Sequence, residues 1–115
     1  MKNFKYDYDK ENDDLLIYLD GEKSGGSVEL GNFVFDFDEN KNLVGIEIFE
    51  ASKVLSNLTS KFIQLTKIKN LKARVVNFRG MVTIQIIVTT NEEKNTANVI
   101  IPRLKQESSP ALDYE

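Results

Sequence analysis

"FDFDENKNLVGIEIF", residues 35–49, admits two readings, and the fold follows from the choice between them. Asp36, Asp38, Asn40, Asn42 and Glu47 fall at most of the ligand spacings of an EF-hand calcium loop. The same stretch also alternates apolar and polar residues on either side of a polar turn. An EF-hand loop wraps its carboxylates around the ion between two helices and takes glycine at its sixth position for the sharp turn. Here the sixth position is Lys41, and both flanks keep the period of two that marks strands. The hairpin reading predicts a loop at residues 39–42 that pairs Phe37 with Val44, Phe35 with Ile46 and Phe33 with Ile48, with every large apolar pair on one face. Asp36 then stands opposite Gly45 and Glu47 opposite Val34 on the other face, where carboxylates stay in water. Asp and Asn serve the turn by bonding their own backbone. The hairpin is the better reading, and no metal site is assigned.

The unit is duplicated. "FKYDYDKENDDLLIYL" (4–19) aligns without a gap on "FVFDFDENKNLVGIEI" (33–48), and the equivalent loop at residues 10–13 pairs Tyr8 with Leu15, Tyr6 with Ile17 and Phe4 with Leu19. After the second hairpin the period changes: Val54, Leu55, Leu58, Phe62 and Leu65 recur at helical steps, with Ser52 available as N-cap. One helix, or two short ones broken near Thr59 and Ser60, covers residues 51–69. Alternation returns in 70–102. A two-residue turn at Arg79 and Gly80 pairs Val75 with Ile84, Ala73 with Ile86 and Leu71 with Val88. A loop at 91–94 pairs Val88 with Ala97, Ile86 with Val99 and Ile84 with Ile101. Pro102 ends the last strand, and 106–115 reads as a flexible polar tail.

These elements predict one α+β domain over residues 1–105. Two N-terminal hairpins (1–50) and a C-terminal three-stranded meander (70–102) form two antiparallel sheets joined by a short helical connector (51–69), with apolar faces buried against each other. At 115 residues the chain is long enough for a core without disulfide or metal staples.

Composition narrows function by exclusion. With no Cys there is no disulfide framework, thiolate zinc site or cysteine nucleophile, and with no His the commonest general base near neutral pH is missing. No apolar run approaches the ~20 residues that span a bilayer, and "MKNFKYDYDK" carries no apolar leader core, so a cytoplasmic protein is expected. Residues 1–50 hold 13 Asp and Glu against 5 Lys, whereas 51–115 hold 5 acidic against 10 basic residues. From Lys53 to Arg79 there are seven basic residues and no acidic one. Such a division serves an anionic partner, or attraction between the halves within or between chains.

The outward face of the predicted meander carries Lys72, Arg74, Val76, Phe78, Met81, Thr83, Gln85, Ile87, Asn98 and Ile100. Its apolar members Val76, Phe78, Met81, Ile87 and Ile100 are the expected interface, since mixed apolar faces of this kind mark contact surfaces. The competing reading is a nucleic-acid surface, with Lys61, Lys67, Lys69, Lys72, Arg74 and Arg79 on phosphates and an aromatic for stacking.

Two segments resemble a known family. "YDYDKENDDLLIYLD" supplies Tyr6, Asp7, Asp14, Leu15, Ile17 and Leu19; "VFDFDENKNLVGIEIFEASKVL" supplies Asp36, Asp38, Val44, Gly45, Ile46, Glu47, Ile48, Ala51, Ser52 and Lys53. Together they resemble domain-of-unknown-function family 2283 over about the first half of the chain. Residues 60–115, a C-terminal β extension, resemble only its longer members. The turn here is Asn-Lys-Asn where that family often has glycine. The resemblance implies a β-rich prokaryotic domain with no assigned activity, some of whose members look like partners of small toxin-like proteins.

The expected function is a non-enzymatic interaction module that associates with itself and with an unidentified protein, needs no cofactor and carries no catalytic residues. The alternative is a nucleic-acid-associated protein. An enzyme built on Asp36, Asp38 or Glu47 is disfavoured, because acid–base work needs paired carboxyls with separated pKa values.

Overall fold

Alternating segments at both ends of the chain become strands, and the one segment of helical period becomes the link between them. The computed structural model describes residues 2–78, 80–91 and 93–101. The side chain of Phe78, all of Arg79, Pro102 and the predicted polar tail lie outside the described residues. In chain order the elements are β1 (Lys2–Asn3), β2 (Lys5–Asp9), β3 (Asp14–Tyr18), β4 (Gly26–Leu30), β5 (Phe33–Phe37), β6 (Leu43–Phe49), α1 (Ala51–Thr59), a 3₁₀ turn (Leu65–Lys67), β7 (Asn70–Phe78), β8 (Met81–Thr89) and β9 (Lys94–Ile101).

The α+β arrangement of two antiparallel sheets and a short helical connector is the one found, with two strands added. The first sheet runs β2-β3-β6-β5-β4 and the second β1-β7-β8-β9. The duplicated hairpins meet along β3 and β6, with Leu15 opposite Ile48 and Ile17 opposite Ile46. Pairing therefore lines up inward rows five strands wide: Tyr6, Ile17, Ile46, Phe35 and Val28 form one. The unforeseen β4 is held where Gly25 donates to the Phe37 carbonyl at 2.6 Å. A Cβ on Gly25 would lie 2.9 Å from the Asp38 and Glu39 backbone, so only glycine lets the strand begin there. The unforeseen β1 crosses to the second sheet: Asn3 pairs with Lys72, and Phe4, buried at the corner, donates its N–H to the Leu71 carbonyl. One continuous cluster of buried side chains joins the inward faces of both sheets.

Two registers depart from expectation. Phe37 pairs with Leu43 rather than Val44, across a bulge. The Asp38 carboxylate accepts from the N–H groups of Asn40 (2.8 Å) and Asn42 (2.9 Å), and Asp38 N–H bonds the Asn42 carbonyl, closing the loop one residue earlier with Lys41 left-handed (φ 66°). This is a three-residue hairpin loop with a bulge. In the second sheet Ile86 pairs with Ala97, Ile84 with Val99 and Val88 with Asn95, two residues out of the expected register. The turn closes at Thr90, whose N–H donates to the Glu93 carbonyl, before the expected loop begins. A slip of two keeps every side chain on its expected face, so the core survives and a buried Asn95 enters it.

The connector is one helix followed by a separate 3₁₀ turn. Ser60 turns left-handed (φ 59°) and ends α1, so Phe62 escapes the predicted apolar stripe and is 78% exposed, while Leu58 is also exposed. Ser52 is not the N-cap: it lies inside the helix, and Glu50 (φ 52°) occupies the cap position with no side-chain capping hydrogen bond. The cap comes instead from the β2–β3 turn. The Asp13 carbonyl accepts from Ala51 N–H (2.9 Å), and its carboxylate accepts from Ser52 N–H (3.0 Å) and Ser52 Oγ (2.7 Å). No helix among the described residues is long and apolar enough to cross a membrane.

Candidate interaction faces

Each sheet turns one side to the core and the other outward, and the sequence has given the two outward sides opposite chemistry. On the second sheet the strand registers set Val76 beside Thr83 and Ile100, Arg74 beside Gln85 and Asn98, and Lys72 beside Ile87 and Thr96. The middle row is bonded across all three strands: Arg74 Nε donates to Gln85 Oε1 at 2.8 Å, and Gln85 Nε2 donates to Asn98 Oδ1 at 3.2 Å. That ladder orients the guanidinium along the sheet. Apolar groups flank it, with Ile100 51% exposed and Met81 also exposed. No described acidic residue faces outward from β7, β8 or β9.

The basic residues singled out from sequence are only partly brought together. Lys72 and Arg74 share this face, joined by Lys94 from β9, which lines a shallow depression with Asn70, Lys72, Ile87 and Thr89. Lys61 and Lys67 sit on the connector, and Lys61 is already bonded to Glu93 at 3.0 Å. Lys69 precedes β7, out of phase with Lys72 and Arg74. Of the five predicted interface residues, Val76, Met81, Ile87 and Ile100 lie on the outward face, and the Phe78 side chain is outside the described residues. Lys94 was missed because it lies beyond the contiguous basic run. Its place in the β8–β9 register is the signal that brings it in.

The outward side of the first sheet is acidic. One row runs Asp7, Leu16, Glu47, Val34, Glu29, and beside it Asp9, Asp14 and Phe49 follow in register. Leu16 and Phe49, 42% and 44% exposed, stand apolar among carboxylates. Both break the alternation of their strands, which is how the sequence marks them. Asp36 lies over Gly45, as the pairing predicts: a Cβ there would be 3.2 Å from its carboxylate oxygen, and Ser27 Oγ donates to the same side chain. Burial pushes the Glu47 carboxyl above its ordinary range, and the Asp14 carboxyl beside it and the charge of Asp36 push the same way. Asp14 Oδ1 is itself enclosed without a hydrogen-bond partner. Among the described residues no group of three or more His, Cys, Asp or Glu is placed to hold a metal ion, and Asp38 is committed to its turn.

A raised folded pKa means that protonated Glu47 favours the fold. The favourable contribution is complete below the unfolded value, about 4.3, and is lost as pH rises through the folded value. Glu47→Gln is therefore expected to raise the melting temperature at pH 7, and the gain should vanish below about pH 4. Calorimetry across that range checks it, and an equal gain at both ends would refute the upward shift of the Glu47 carboxyl.

Fold and faces define a two-layer, mostly antiparallel β domain whose surfaces are differentiated by charge. Residues 5–52 match the family described as "Protein of unknown function (DUF2283)", so the resemblance read from the duplicated hairpins holds over the first sheet and the start of α1. An uncharacterized protein of Methanocaldococcus jannaschii is 52% identical over 52 residues, 45% of each chain. A protein of Methanosarcina mazei named "Putative hypoxanthine phosphoribosyltransferase" is 37% identical over 71 residues, 62% of this chain and 55% of that one. The chain spans about half the length of the curated relatives it matches. No solved structure matches it.

Proposed function

We propose that this protein is a non-enzymatic, cytoplasmic interaction module that docks protein partners, its own copies among them, through the outward face of β7, β8 and β9. The observation that carries the reading is the uncovered Arg74–Gln85–Asn98 ladder flanked by Val76, Met81, Ile87 and Ile100. A partner there gains apolar burial at the flanks and a preoriented cation at the centre, the anatomy of a modest contact surface. The charge-rich, cysteine-free composition accords with a reducing compartment. The phosphoribosyltransferase name belongs to a relative of which this chain covers 55%, and nothing of it is carried over. At α1, where helix N–H groups would meet a phosphate, the Asp13 carboxylate is already in place.

A second reading is favoured by the depression that Lys72 and Lys94 line with Asn70 and Thr89: the face binds nucleic-acid phosphates. With Lys72, Arg74 and Lys94 as contacts, the logarithm of single-strand affinity should fall with log salt at a slope of about −2.

A photo-crosslinking side chain at Thr83, in the outward row beside the ladder, tests both. The expected result is a nuclease-resistant protein adduct in living cells that is lost with Arg74→Glu and does not form from Lys23, in the loop before β4. A nuclease-sensitive adduct with the salt slope above would replace the first reading by the second, and no adduct at Thr83 would remove both.

A further inference from the structure

Charge is segregated between the two outward faces, apart from Lys5 on β2, and among the described residues ion pairs do not neutralise it. Asp7, Asp9, Asp14, Glu29, Asp36 and Glu47 face outward from the first sheet. Lys72, Arg74 and Lys94 face outward from the second. The ion pairs among the described residues join Lys5 to Asp20, Lys53 to Glu50 and Lys61 to Glu93, and none of the nine face residues takes part. Both faces also set exposed apolar side chains among their charges: Leu16 and Phe49 on the acidic one, Met81 and Ile100 on the basic one.

Resting on the docking reading above, we infer that the partner of the basic face is the acidic outward face of a second copy of this chain. The pairing is heterologous, sheet against sheet. Because the two faces lie on opposite sides of one two-layer domain, each added copy leaves a fresh face of each kind exposed, so the association extends as an open stack rather than closing as a dimer. Five strands at ~4.8 Å by five residues at ~3.3 Å give a footprint of about 400 Å². Stable interfaces cover about 800 Å² on each partner. The contact is therefore weak, and screening should dissolve it.

Sedimentation velocity on the full chain tests the inference. At low ionic strength, with a Debye length of about 30 Å, the weight-average mass should climb with concentration to about twofold or more above one chain. Near 1 M salt, where the Debye length is about 3 Å, it should return to that of one chain. Two exposed charge-reversal variants, each checked for folding by circular dichroism, sharpen the test. Lys72→Glu with Arg74→Glu gives two acidic faces, and Asp7→Lys, Asp9→Lys and Glu29→Lys with Glu47→Gln leave those new Lys against only Asp14 and Asp36, which gives two basic ones. Each alone should stay monomeric, and mixing them should restore association. A wild-type chain that stays monomeric at low salt, a variant that associates unaided, or a mixture that does not associate would each overturn the inference. If the chain stays monomeric while the crosslinker at Thr83 still captures a different protein, the stack falls and the docking face stands. If neither is seen, both fall.

Discussion

Phe35→Ala is expected to lower unfolding stability by about 3–5 kcal/mol, the range for truncating a buried aromatic. The ring is fully buried and stacked on Phe33, with centroids 5.4 Å apart and planes 8° from parallel. It sits between Ile46 and Val28 in the widest inward row of the first sheet. Domains of this size hold only about 5–15 kcal/mol in all. The variant should thus unfold at much lower urea or populate unfolded chain without it, with the slope of the transition unchanged. Phe62→Ala removes the same side chain from a position that is 78% exposed, and should move stability by no more than about 0.5 kcal/mol. A loss below about 1 kcal/mol at Phe35, or comparable losses at both sites, would mean that the inward face has been misassigned.

That contrast also marks how far the sequence could be read. Alternation and the internal repeat place Phe35 correctly because a period of two leaves no choice of face once the turn is located. The helical period overreached at Phe62, because a sequence pattern has no term for the left-handed Ser60 that ends α1. β4 was invisible because "GSVEL" offers only Val28 and Leu30 to a five-strand sheet, and its position depends on Gly25 packing against the Asp38 backbone. The β8–β9 register lies two residues from the one that a loop at 91–94 implies, because the turn closes earlier, where Thr90 N–H bonds the Glu93 carbonyl and Val88 comes opposite Asn95. The contiguous basic run was legible as composition, yet it spans a connector and a strand, so only Lys72 and Arg74 reach one face while Lys94 arrives from elsewhere.

The helix cap shows most clearly what local reading misses, and it carries the second large effect. Ser52 has the right residue type beside the helix start, but the acceptor comes from Asp13, 39 residues earlier. Asp13 can sit there because aspartate tolerates its left-handed backbone (φ 54°). Asp13→Ala removes the cap, strains the turn and leaves the Tyr8 hydroxyl without its acceptor, so the expected loss is about 2–4 kcal/mol. Asp13→Asn keeps the backbone tolerance and an acceptor oxygen and should lose about 1 kcal/mol. The two ends of the pH scale separate the contributions. Burial pushes the Asp13 carboxyl up, but hydrogen bonds from Tyr8 and from Ser52 outweigh it and hold the group below the ordinary aspartate range. Its stabilisation is therefore complete above about pH 4 and is lost as pH falls through the lowered value. Tyr8 is pushed up to about 12, by burial first and then by its hydrogen bond to Asp13 and the charge behind it. A raised phenol favours the fold below its unfolded value of about 10 and loses that contribution as pH climbs toward the folded one. In Asp13→Ala the tyrosinate titration of Tyr8 should move down only part of the way, because burial remains, and the stability gap to the unmutated chain should close as pH falls through the lowered Asp13 value. A titration unchanged by Asp13→Ala would mean that the hydroxyl and the carboxylate are not partners in solution.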